Sequence, residues 1–278
     1  MKKYQNFLGL GIAGNFALHL AQAGELEEFK DIITSDEAAP KGLFPFYLPK
    51  PTSANKNLNT YPLSSNYIKL PKEDVNIQAE PEVALVCDLE YTAGKLSKIS
   101  PISFGAYNDC SIRIAGANKI SDKKNWGEHS KGISNTLFKI DTFTKNGIMD
   151  EYSIASFLRR DDKVHAYGED VKLTGYSYFY EKLTDWILNQ LLTQKDFGPL
   201  EPLNKYINEC NNPSQAIISI GATRYTEYGE RTFLKKDDEV IIIVYKHTHI
   251  SDAELLASVQ TNEYNPKIMS VLSQKVIV

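Results

Sequence analysis

The stretch Gln78-Ala79-Glu80-Pro81-Glu82-Val83-Ala84-Leu85-Val86 sets two carboxylates at the mouth of an apolar run. In extended backbone, side chains alternate, so Glu80 and Glu82 fall on one face. Neighbouring anions at a core edge repel each other and favour a cation between them. Asp109 follows 27 residues after Glu82, in Asn108-Asp109 at the end of the strand-like Ser103-Phe104-Gly105-Ala106-Tyr107. Three carboxylates with open positions suit a hard divalent ion such as Mg²⁺ or Mn²⁺. On spacing alone the other reading is a solvated strand edge. A second candidate is Gly9-x-Gly11-x-x-Gly14, with Asp36 downstream after Ile32-Ile33. It suits a dinucleotide fingerprint, but the strand–helix rhythm that should follow stops after Asp36. His247-x-His249 has no third metal ligand nearby, and His129 lies two residues before Lys131.

These residues need elements to hold them. Strands are expected at 4–12, 83–88, 99–107, 216–222 and 239–247, with strand character also at 136–143 and 163–173. Ala93-Gly94 suits the turn between the second and third of these. Asn15 reads as the cap of a helix running from Phe16 to about Phe29. The segment Tyr178–Leu192 carries Phe179, Leu183, Trp186, Ile187 and Leu191 on one face and is the strongest helix. Pro202–Glu209 reads as a second, short helix, and Ser251 with Glu254 as a capping box for a C-terminal one. Residues 34–66 read as loop, although Leu43-Phe44-Pro45-Phe46-Tyr47-Leu48 is apolar enough to lie against a core. Strands outnumber helices without alternating with them, so the expected class is α+β.

The chain has 278 residues, 42% hydrophobic and 24% charged, with a formal net charge of −4. No lysine- and arginine-rich stripe with interleaved aromatics points to nucleic acid, and no apolar run is long enough for a membrane helix. Cys87, Cys110 and Cys210 are odd in number and widely spaced, which suits a reducing compartment. The N-terminal Lys2-Lys3 and Ala21-Gln22-Ala23 imitate an export signal, but Asn15, His19 and three glycines interrupt it, so the expected location is cytoplasmic.

The order of motifs resembles the fumarylacetoacetate hydrolase family. The matching stretches are N-F-A-L-H-L-A-Q-A-G-E, G-L-F-P-F-Y-L-P-K-P-T-S-A, E-P-E-V-A-L-V, F-G-A-Y-N-D-C-S-I-R, N-W-G-E-H-S-K-G, and S-I-G-A-T followed by L-K-K-D-D-E-V. They span residues 5–245. The resemblance implies one catalytic domain over 1–278 on a mixed β-sandwich or β-roll core, with 1–66 as an integrated lid and strand segment and 67–250 as the core. It implies a homodimer and a small oxo acid as substrate. By motif position, Glu80, Glu82 and Asp109 would hold Mg²⁺ or Mn²⁺, with Ca²⁺ an alternative. Lys131 would face the substrate, His19 would help activate water, and Arg113, Gly221 and Thr223 would contact substrate, with a structural ion pair equally open for Arg113. The implied reaction is C–C cleavage, decarboxylation or isomerisation of a β-dicarbonyl or 2-oxo acid. The alternative is a catalytically weak ligand-binding or regulatory protein on the same scaffold.

The departures fall on functional positions. Gln22 stands where the family has the acid of a His-x-x-Glu dyad, so it accepts a hydrogen bond but brings no charge. The family's T-G-T-P reads Ile220-Gly221-Ala222-Thr223, the residue after Arg113 is Ile114 in place of Asp, and Trp126 to Lys131 is one residue longer than usual.

Overall fold

The computed structural model describes residues 2–34, 36–114 and 116–278. Its strands are β1 (Leu8–Ala13), β2 (Gly42–Tyr47), β3 (Leu63–Ser64), β4 (Tyr67–Lys69), β5 (Asn76–Gln78), β6 (Pro81–Thr92), β7 (Lys95–Asn108), β8 (Ser111–Arg113), β9 (Lys131–Ile133), β10 (Phe138–Lys139), β11 (Tyr152–Arg160), β12 (Lys163–Lys172), β13 (Gln215–Ser219), β14 (Glu239–Lys246) and β15 (Met269–Ile277). The helices are α1 (His19–Gln22), α2 (Tyr180–Thr193), α3 (Leu203–Glu209), α4 (Glu227–Glu230) and α5 (Asp252–Thr261). An eight-stranded sheet runs β2-β1-β13-β6-β7-β9-β3, with β10 also on β7. A five-stranded sheet runs β12-β11-β14-β15-β4, and β5 pairs with β8.

The two large sheets face each other over one core. Val83, Leu85, Cys87 and Phe104 from the first meet Ile154, Leu158, Val240, Ile242, Val244 and Leu272 from the second. Each central strand is also covered on its outer face. Ala84 and Val86 of β6 lie with Phe46 and Tyr107, and Ile241 and Ile243 of β14 lie beneath Leu255 and Val259 of α5. Burial on both faces is why these strands read as unbroken apolar runs. The α+β class and the mixed two-sheet core agree with expectation.

The β6–β7 hairpin is the scaffold of the site. It turns at Ala93 and Gly94, both at positive φ, and its register sets Pro81 opposite Asn108 and Glu82 opposite Tyr107. The open end of the hairpin therefore brings Glu80 and Glu82 beside Asp109.

Four expectations about local structure are corrected. The helix expected over Phe16–Phe29 is reduced to α1 and a 3₁₀ turn at Leu26–Phe29, because Leu18 and Gly24 adopt left-handed backbone. Asn15 caps nothing: its buried amide donates to the carbonyls of Tyr178 (3.0 Å) and Ile220 (2.8 Å) and accepts from the Tyr178 N–H (2.8 Å). Within 34–66, the apolar stretch is strand β2, paired antiparallel to β1. The strand character at 136–143 survives only as β10.

Gly9 and Gly11 are explained by this pairing. A Cβ on Gly9 would sit 2.4 Å from the Phe46 ring, and one on Gly11 would sit 2.3 Å from the Phe44 ring. Glycine is needed where two β2 rings pack closely against β1. Gly11→Ala should destabilise the protein by about 1–3 kcal/mol through overpacking, read as a lowered midpoint in denaturant unfolding. An unchanged midpoint would contradict this packing account.

Candidate functional site

Glu80, Glu82 and Asp109 converge, each offering an oxygen within 4.8 Å of the others, and all three are buried. Opposite oxygens around a bound ion lie about 4.2 Å apart for Mg²⁺ and about 4.8 Å for Ca²⁺, twice the respective metal–oxygen distances. The donor chemistry and spread therefore fit a hard divalent cation. The hairpin end is locked by two bonds: the Asp109 N–H donates to the Glu80 carbonyl (3.0 Å) and the Glu80 N–H to Asn108 Oδ1 (3.2 Å). Asn108 in turn donates to Gln274 of β15 (3.0 Å).

A set of buried cations surrounds the triad. Lys124 Nζ bridges Glu80 Oε2 (2.7 Å) and Asp109 Oδ2 (2.6 Å). Lys131 Nζ lies 3.3 Å from Asp109 Oδ1 and donates to the Cys110 carbonyl. Arg113 pairs with Glu80 and Glu25, both at 2.8 Å. It also donates through Nε to Gln78 across the β5–β8 pair (2.7 Å) and through a terminal nitrogen to the Tyr225 hydroxyl (3.1 Å). Lys123 closes the cluster on Glu25 (2.9 Å) and Glu28 (2.7 Å). The ion-pair alternative for Arg113 is thus what its geometry displays.

The triad's members differ electrically. Burial alone would raise the Glu80 carboxyl, but Lys124 and Arg113 outweigh it and hold that group well below the usual range. Glu82 has no ion pair among the described residues. Burial, with the charges of Asp109 and Glu80, pushes it well above the usual range, eased only in part by Lys124 and by the Gly221 N–H at 3.0 Å. Burial raises Asp109 too, opposed by Lys124 and Lys131. Burial holds Lys131 below its ordinary value, against the pull of Asp109.

The remaining expected residues are spread around this centre. His19 is buried beneath Tyr225, ring centroids 5.2 Å apart, and its Nδ1 has no hydrogen-bond partner among the described residues. Burial lowers its pKa to about 4, while the charge of Glu80 pulls the other way. Gln22 does not turn to the imidazole: its amide clasps the Tyr225 backbone, accepting from N–H (2.9 Å) and donating to C=O (3.2 Å). The acid that acts on His19 from this segment is Glu25, three residues later. Gly221, at φ +109, presents its N–H to Glu82. The Thr223 N–H donates to the Pro81 carbonyl (3.2 Å), and its buried Oγ1 has no partner among the described residues.

Sequence reasoning missed Lys124, Glu25 and Tyr225. Lys124 belongs to a Lys-Lys pair of the kind usually left in solvent. Its burial follows from Asn125, whose amide donates to the Phe46 and Thr60 carbonyls, both at 2.9 Å, and ties the turn to β2. The expected packing role of Phe44 is visible here, its ring centroid 5.1 Å from Lys124 Nζ.

The His19 environment has a testable sign. In the unfolded chain the ring takes up a proton near pH 6.5, but in the native site only near 4. The unfolded state therefore binds more protons between these values, and stability falls as pH is lowered through that window. The full shift is worth about 3 kcal/mol. NMR of the ring should show His19 neutral and unmoved from pH 7 to 5; titration near 6.5 would contradict the buried placement.

Among solved structures, similarity covers 97% of the chain in each of three cases. It matches 72% of 2-keto-3-deoxy-D-arabinonate dehydratase complexed with magnesium and 2,5-dioxopentanoate (16% identity, TM-score 0.54). It matches 78% of 5-carboxymethyl-2-hydroxymuconate delta-isomerase from Mycobacterium smegmatis (14% identity, TM-score 0.51). It matches 93% of a Yersinia pestis CO92 protein assigned to the fumarylacetoacetate hydrolase family (11% identity, TM-score 0.50). At these identities the likeness establishes the fold, which is that of the fumarylacetoacetate hydrolases. No curated protein sequence matches. A family model matches residues 25–276, and the chain belongs to that family, described as Family of unknown function (DUF5718).

Proposed function

We propose that this protein is a divalent-metal enzyme acting on a small 2-oxo acid or β-dicarbonyl compound. The observation that carries the reading is the convergence of Glu80, Glu82 and Asp109 beside a neutral, unpartnered His19 and a buried Lys131. Glu80, Glu82 and Asp109 would hold the ion, Mg²⁺ or Mn²⁺, with Ca²⁺ also compatible. When bound, it would supply Lewis-acid polarisation of the substrate's adjacent oxygens. Lys131 provides a fixed positive charge for a carboxylate. His19, neutral at pH 7 with Nδ1 unpartnered among the described residues, can take up a proton from the carbon beside the carbonyl, as a weak base because burial lowers its pKa to about 4.

Hydrolytic C–C cleavage is the less favoured branch. It needs a charged partner to orient the histidine toward water, but Gln22 is engaged on the Tyr225 backbone and Glu25 is paired with Arg113 and Lys123. The other branch centres on carbon: in isomerisation His19 takes a proton from one carbon and returns it to another, in dehydration it gives that proton to the departing hydroxyl to release water, and in decarboxylation the enolate left after CO₂ departs takes up a proton at carbon. The magnesium-bound dehydratase and the isomerase of the same fold support this branch. The chain would work as a cytoplasmic homodimer with a small oxo acid as ligand, without nucleic acid or membrane partners.

A second reading, a ligand-binding or regulatory protein with little catalysis, draws support from Lys124, which already satisfies two of the three carboxylates. A cavity of about 260 Å³ borders the cluster at Glu25, Arg113 and Lys123.

The two readings separate in deuterium oxide. The enzyme reading predicts Mn²⁺- or Mg²⁺-dependent exchange of the C3 protons of pyruvate or oxaloacetate, followed by NMR. Glu82→Gln should reduce it at least 100-fold, and His19→Gln by 10²–10⁴-fold. If Mn²⁺ binds but a panel of 2-oxo acids shows neither exchange nor turnover, the enzyme reading fails and the binding reading stands.

A further inference from the structure

Lys124 is a built part of the site. Its ammonium is buried, reaches Glu80 and Asp109 at 2.7 and 2.6 Å, and lies against the Phe44 ring. Its turn is anchored through Asn125 to the carbonyls of Phe46 on β2 and of Thr60, and the Lys124 N–H itself donates to the Ser121 carbonyl (3.0 Å). A flexible surface lysine would have none of these constraints. The ammonium occupies Glu80 Oε2 and Asp109 Oδ2, two of the triad's six carboxylate oxygens, and its charge repels a divalent ion that approaches them at about 2.1–2.4 Å.

We propose that Lys124 is the resident cation of the triad, and that a divalent ion enters only by displacing its ammonium from Glu80 and Asp109. This rests on the metal-binding reading of the triad given above. Two consequences follow. The fold does not depend on metal, because Lys124 already neutralises the carboxylates. Metal affinity is set below what three carboxylates would give alone, because the ion must replace an existing pair.

The test is Mn²⁺ titration of the wild type and of Lys124→Gln, with free ion read by electron paramagnetic resonance. The variant should bind Mn²⁺ at least tenfold more tightly; equal or weaker binding overturns the proposal while leaving the metal reading intact. Absence of Mn²⁺ binding to either folded protein removes the metal reading and the proposal together. The wild type supplies an independent measurement should the variant not fold. Exhaustive chelation should leave its Tm unchanged, and a fall in Tm on chelation that Mn²⁺ reverses overturns the proposal.

Discussion

Carboxylates removed from water need cations beside them, and in this protein Lys124 bridges Glu80 and Asp109, with Arg113 also on Glu80 and Lys131 beside Asp109. The charges are buried, so their attraction is little screened, and removing one partner of such a pair typically costs about 3–5 kcal/mol. The neighbouring pairs extend the same logic outward: Arg113 ties Glu80 to Glu25, and Lys123 ties Glu25 to Glu28. The cluster thereby fastens the N-terminal segment to the hairpin end, and Glu82 is left as the triad's one carboxylate without an ion pair among the described residues.

The fold delivers these groups with few degrees of freedom. The β6–β7 register fixes Glu82 opposite Tyr107, β9 brings Lys131 to the same end by pairing Gly132 with Asn108, and β5–β8 sets Gln78 opposite Ser111, where Arg113 two residues on reaches it diagonally. On the far side β1 carries glycines so that Phe44 and Phe46 can lie close, and Phe44 then backs Lys124. A glycine pattern that imitates a nucleotide cradle is thus part of the packing behind the charge cluster.

The parts legible in the sequence are those set by alternation and strong periodicity. Glu-x-Glu before an apolar run and Asn-Asp after one locate the triad, and the β6–β7 hairpin, α2, α3, α5 and β14 form at or near the expected residues. The failures have physical causes. A left-handed Leu18 breaks a helix whose composition favours continuation. β15 buries Ser270 and Gln274 among its apolar residues, which blurs the alternation a strand should show, because Gln274 holds Asn108 behind the site. Lys124 is invisible because nothing in a lysine pair announces which member long-range anchoring will bury.

The most direct measurement is a crystal structure of the protein grown with Mn²⁺, with the ion located by its anomalous scattering. The account predicts a peak bounded by oxygens of Glu80, Glu82 and Asp109, with the Lys124 ammonium moved away from Glu80 and Asp109. A peak elsewhere in the molecule, or none, with Lys124 still bridging the two carboxylates, would contradict it.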